Sequence, residues 1–204
     1  MTGGPWPHRA VLFRVLGAVA GEPADARTAC AALGLPVPGD AEHTEVFVLN
    51  CPPYAAVYLG AEGGLGGEAA DRAAGFWRAI GMPPPAEPDH LTALLSLYAR
   101  LGGAAIGPLA PATAAALTRA CQALFWEHLW PWLPGYLDAV DDLGTPALAP
   151  WAAWPGWGLR PSAPAIPAAG RPWRCGPHRL RSQSPNGRMT SWKCSRHRSA
   201  AASS

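Results

Sequence analysis

Through the first two thirds of the chain, apolar residues recur every three or four positions, and glycines and prolines cut the recurrence into short runs. "HRAVLFRVLGAVA" places Val11, Leu12, Val15, Leu16 and Val19 on one helical face. "PADARTACAALGL" opens with Pro23, whose fixed φ suits a first turn, and stops at Gly34 with Pro36 just beyond. "GGEAADRAAGFWRAIGM" spaces Ala70, Ala73, Ala74, Trp77 and Ile80 helically and is closed by Gly81. Asp89 is placed to cap a helix carrying Leu91, Leu94, Leu95, Tyr98 and Leu101. "PATAAALTRACQALFWEHLWPWL" repeats the pattern at Leu117, Cys121, Leu124, Phe125 and Leu129 and breaks at Pro131 and Pro134. "PPYAAVYLG" restarts after a double proline. "DAEHTEVFVLN" can begin at Asp40 as a cap, but its β-branched "EVFVL" leaves helix and strand both open. With no alternation of strands and helices and no internal repeat, the expected fold is all-α, a compact single-domain helical bundle.

The periodicity stops near Gly144, and the charge changes with it. Residues 1–142 hold seven arginines and all fourteen acids, a net charge of −7; residues 143–204 hold eight arginines, Lys193 and no acid, +9. The whole-chain charge of +2 hides this division. The second part is rich in Pro, Trp, Gly, Ser and Arg without an amphipathic run, the mixture that GC-rich codons give when read out of frame. The expected organisation is a helical domain over 1–143 and a disordered, aberrant basic tail over 144–204, the product of a frameshift or truncation.

Composition narrows the compartment. The apolar segments are interrupted well short of the roughly 18–20 residues that span a bilayer, so no membrane insertion is expected. The N-terminal run has the outline of a secretory signal, but Arg14 divides its apolar part, and the same residues make a helical face. Five cysteines, an odd number spread along the chain, do not read as a disulfide framework, and a reducing cytoplasm is the expected location.

The densest chemistry lies in "EPDHLTALLSLYARL". Glu87 and Asp89 flank Pro88, and His90 follows. Neighbouring helical positions do not share a face, so these three do not form a ligand set by themselves. Glu127 and His128 of "EHLW" could add a distant ligand, but neither stretch has the two histidines four apart of a metalloprotease helix. "GAEGGLGGE" lacks the Lys and Ser/Thr of a phosphate loop and reads as a flexible connection. No arrangement for nucleophilic or acid–base catalysis stands out, so the chain is not expected to be an enzyme or to need a cofactor. In the tail, Cys175/His178 and Cys194/His197 form two CxxH pairs with a spacing a structural zinc uses, though nothing around them resembles a ββα unit. The tail's nine cations with Trp173 and Trp192 leave a nucleic-acid- or zinc-binding module as the alternative reading.

Five pieces, "AEHTEVF", "PPYAAVYLG", "GFWRAIG", "EPDHLTALLSLYARL" and "FWEHLWPWLPGY", taken in order and with their gaps, resemble the TorD/DmsD/NarJ family of redox enzyme maturation chaperones over roughly residues 8–140. The resemblance implies a TorD-like all-helical fold and no catalysis. It also implies a partner: the apo-form of a molybdoenzyme catalytic subunit, bound through its twin-arginine signal peptide before export or assembly, with no nucleic acid involved. By the same resemblance Glu87, Asp89 and His90 match the acidic and histidine motif associated with signal-peptide binding, and Tyr54 and Tyr58 fall on the family's aromatic positions. His43 stands where the family commonly has an aromatic residue. Acids beside an apolar surface complement two guanidinium groups followed by an apolar stretch.

Overall fold

The computed structural model describes residues 6–60, 63–105 and 108–153, with side chains from Val11 onward. Among these residues nine α-helices run in order: α1 (Trp6–Val19), α2 (Pro23–Leu33), α3 (Asp40–Thr44), α4 (Ala55–Leu59), α5 (Glu68–Ala79), α6 (Leu91–Ala104), α7 (Pro111–Ala123), α8 (Leu133–Asp142) and α9 (Leu148–Ala152). Two π-helical turns, Glu45–Asn50 and Leu124–Leu129, continue α3 and α7. Among the described residues there is no strand, only one isolated antiparallel bridge between Tyr54 and His90. The "EVFVL" ambiguity thus resolves as helix, in its wide π form. No helix among the described residues is long and apolar enough to cross a membrane.

α6 is the central element, packed on α1, α7 and the second π turn. Its helical spacing buries Leu91, Leu94, Leu95, Leu97, Tyr98 and Leu101, so apolar side chains cover more than one face and several neighbours can pack against it. α1 approaches it closely because Gly17 has no side chain: a Cβ there would sit 3.0 Å from Leu95 Cβ. The Thr92 hydroxyl donates to Gly17 O at 2.7 Å across this contact, and Phe13 meets Tyr98 edge-on at 5.3 Å. The α1 face is therefore rotated from the sequence expectation. Phe13, Leu16 and Val19 are buried, whereas Val11 is 59% exposed.

Glycines end the helices where the sequence places them. Gly34 (φ 66°) and Gly81 (φ 78°) take the left-handed conformation. Each closes paired hydrogen bonds, Gly34 N–H to Ala31 O and Leu35 N–H to Cys30 O, then Gly81 N–H to Arg78 O and Met82 N–H to Trp77 O. α2 and α3 are tied on the surface by an ion pair between Arg27 and Asp40. Cys30, Cys51 and Cys121 are buried, and burial raises the Cys30 and Cys121 thiols to about 11, so both stay protonated at neutral pH.

The packed chain continues past the compositional boundary at Gly144. In α9, Leu148 and Trp151 are fully buried. Trp151 donates its indole N–H to Leu16 O at 3.2 Å, and its ring meets Phe47 and Tyr136 edge-on. Glu42 Oε1 accepts from Ala147 N–H (2.8 Å) and Leu148 N–H (3.3 Å), so a carboxylate 105 residues upstream supplies the cap that α9 lacks locally. Proline-rich composition hid this turn of helix because its partners are all distant in sequence. The remainder of the basic segment, with Cys175, His178, Cys194 and His197, lies outside the described residues.

Candidate functional site

Prolines shape the site. Pro52, Pro53 and Pro88 bias their preceding residues toward extended backbone and offer carbonyls without competing N–H groups. Two extended segments result, one entering α4 and one entering α6, and they lie side by side. Ala55 N–H donates to Asp89 O at 3.1 Å and Leu91 N–H to Pro53 O at 2.8 Å, flanking the Tyr54–His90 bridge.

This pairing brings Tyr54, Glu87, Asp89 and His90 together and gives each a different role. The Tyr54 hydroxyl donates to Glu87 Oε1 at 2.8 Å, and its ring packs edge-on against His90 with centroids 4.7 Å apart. Burial and the Glu87 carboxylate push the Tyr54 hydroxyl up to about 12, so it remains a donor. Glu87 is exposed, with its carboxylate held in place from one side. His90 is half-buried, and its Nδ1 accepts from Thr92 N–H at 3.2 Å. Burial holds its pKa below the ordinary histidine value against the opposing pull of Glu87 and Asp89, consistent with a neutral ring that accepts.

The cap of α6 expected from Asp89 is supplied by its neighbour. His90, not Asp89, is the N-cap of α6. Asp89 is only 3% exposed, and its Oδ2 accepts from Ala56 N–H at 3.0 Å, capping α4 across the pairing. This arises because Asp89 already faces the neighbouring segment, where the orphan N–H groups of α4 need an acceptor. Tyr58 is not brought to this surface. It is 3% exposed, stacked on Trp132 (5.5 Å, 14°) and edge-on to Tyr136 (5.4 Å).

Beside the cluster is a small hollow of about 10 Å³. Ala55 follows Tyr54 and Leu94 lies one turn beyond His90, and both line it with Leu59, Arg72, Glu127 and His128. Leu59 is exposed at its rim. His128 is 8% exposed and 5.0 Å from the Phe76 ring, and burial, with Arg72 nearby, keeps its pKa below the usual value. The π turn arranges this side. Its wider coil buries His128 and leaves Trp126 48% exposed within a cluster of Phe125, Trp126 and Trp130 whose ring centroids lie 5.1–5.8 Å apart. The sequence marks "FWEHLW" as aromatic, but regular helical spacing gives no warning of the extra residue per turn.

Chemically, an exposed oriented carboxylate beside a tyrosine ring can receive a guanidinium. Among the described residues no group of three or more His, Cys, Asp or Glu side chains is arranged to hold a metal ion. No curated protein matches the chain. Residues 39–138, which contain the whole cluster and hollow, match the family model described as nitrate reductase delta subunit.

Proposed function

We propose that this chain, which over residues 39–138 belongs to the nitrate reductase delta subunit family of NarJ/TorD-type redox enzyme maturation chaperones, binds the apo-form of a molybdoenzyme catalytic subunit through a twin-arginine signal peptide. In this reading it acts in the cytoplasm as a binding protein and not as a catalyst. The supporting observation is the exposed Glu87 carboxylate, oriented by the Tyr54 hydroxyl at 2.8 Å. Glu87 receives an arginine of the signal, and the Tyr54 ring supplies a face for its guanidinium. Asp89 and His90 serve the site by fixing the two backbone segments that present Glu87 and Tyr54. Tyr58 serves from behind, as part of the core beneath α4.

Co-expression tests this role. The chain should co-purify with a molybdoenzyme catalytic-subunit precursor that retains its twin-arginine segment, and much less with the same subunit lacking it. Equal recovery of both, or of neither, from a folded chain would contradict the proposal.

A further inference from the structure

His90 makes three contacts at once. Its Nδ1 accepts from Thr92 N–H at 3.2 Å and caps α6, its ring lies edge-on to Tyr54 with centroids 4.7 Å apart, and its backbone N–H donates to Glu87 O at 3.3 Å. An acceptor at Nδ1 fixes the neutral tautomer, with the proton on Nε2. Both side-chain neighbours lead further into the molecule. Tyr54 donates its hydroxyl to the Glu87 carboxylate at 2.8 Å, and Thr92 donates its hydroxyl to Gly17 O at 2.7 Å, which ties the start of α6 to α1. The titratable groups facing His90 are Tyr54 on the paired segment and Glu87 and Asp89 on its own. To the same corner α1 brings the Gly17 carbonyl, and α5 brings the Trp77 indole, which donates to Pro88 O at 3.4 Å. The two carboxylates differ in what they hold. Asp89 is engaged by Ala56 N–H, whereas Glu87 stands outside the one ion pair formed among the described residues, Arg27 with Asp40.

We propose that His90 is a proton-operated latch on this surface: the neutral ring caps α6 and leaves the Glu87 carboxylate free, and the protonated ring opens the cap and gives Glu87 a cation of the protein's own. This rests on the reading of Glu87 as the carboxylate that receives an arginine. Protonation places a hydrogen on Nδ1, which then meets the Thr92 N–H donor to donor, so the capping bond is lost and the ring turns from Thr92. The turn has a direction, because Glu87 and Asp89 are the negative charges beside the ring and Asp89 is already engaged. Imidazolium and guanidinium then compete for one carboxylate. Movement of the ring also removes the edge contact that steadies Tyr54, the donor that orients Glu87. Burial, the largest influence, lowers the His90 pKa below the ordinary histidine value, while Glu87 and then Asp89 pull it upward. The ring is therefore neutral near neutral pH, where the surface is open to arginine, and the latch closes as the pH falls below about 6.5.

Nuclear magnetic resonance of the full-length protein between about pH 7.5 and 5 reads the latch without a client. The His90 ring carbons should titrate with a midpoint below that of a free histidine, and the Thr92 amide proton should shift and exchange faster with the same midpoint. A His90 ring that stays neutral across this range overturns the proposal, as does one that titrates while the Thr92 amide does not respond. Affinity for a twin-arginine peptide should weaken about fivefold or more over the same range, the effect of one cation added beside a carboxylate. His90→Asn retains a side-chain acceptor for the cap but cannot titrate. Whatever its affinity at the higher pH, the ratio of its affinities at the two ends of the range should stay within about twofold. A ratio as large as that of the wild type would overturn the latch. Arginine-dependent binding indifferent to pH overturns the latch and leaves the client reading intact. Joint titration of His90 and Thr92 without arginine-dependent binding upholds the latch and overturns the client reading.

Discussion

At the scale of single residues, Asp89 and Glu87 are two acids two positions apart with opposite environments. Asp89 is buried and caps α4, whereas Glu87 is exposed and touches one hydroxyl. Asp89→Ala should therefore cost about 1–3 kcal/mol in urea unfolding, since it leaves a buried N–H without its acceptor, while Glu87→Gln should change stability by less than about 0.5 kcal/mol. Equal costs would contradict this division of roles between the two carboxylates. Histidine gives a pH dependence of defined sign. His43, His90 and His128 all have folded pKa values lowered mainly by burial. Below about pH 6.5 the unfolded chain binds more protons than the folded one, so stability is full above that pH and falls as the pH drops. Urea midpoints measured between about pH 7.5 and 5 should decline, and His43→Leu should flatten the slope. Asp138 acts in the opposite direction at lower pH, because burial and the nearby Asp142 and Asp141 raise its pKa, so its protonation favours the folded state.

At the scale of elements, regular helices were legible and the departures from regularity were not. α2, α5 and α6 follow their apolar spacing, and α2 and α5 also their terminal Pro or Gly signals, because local rules decide them. The π turns, the turning of Asp89 from α6 to α4, and the rotation of α1 toward Gly17 depend on neighbours remote in sequence. Four of the five expected site residues converge because two proline-directed segments pair, and the same pairing turns Asp89 away from α6 and onto α4. Two expected outcomes belong here. Gly17→Val should destabilise by about 1–3 kcal/mol through overpacking against Leu95, measured as a lowered urea midpoint. Trp151→Ala should cost about 3–5 kcal/mol, as for other buried aromatics, and Glu42→Ala should cost less while making the α9 region markedly more sensitive to protease. If both left stability unchanged, α9 would not be part of the folded body.

At the scale of the molecule, an acidic helical body presents an oriented, exposed carboxylate beside a tyrosine ring within a single family-matched stretch, and a strongly basic segment follows it in the sequence. The proposed recognition of an arginine pair rests on Glu87 for charge, on the Tyr54 ring beside it, and on Asp89 and His90 for the backbone frame. Calorimetric titration of the full-length protein tests this most directly, using a twin-arginine signal peptide, the same peptide with both arginines replaced by glutamine, and the Glu87→Gln variant. Binding should require the arginines and weaken about tenfold or more in Glu87→Gln, the loss expected for one charge-assisted contact. Equal affinity for the two peptides, or undiminished binding by Glu87→Gln, would contradict recognition of the arginine pair at this site.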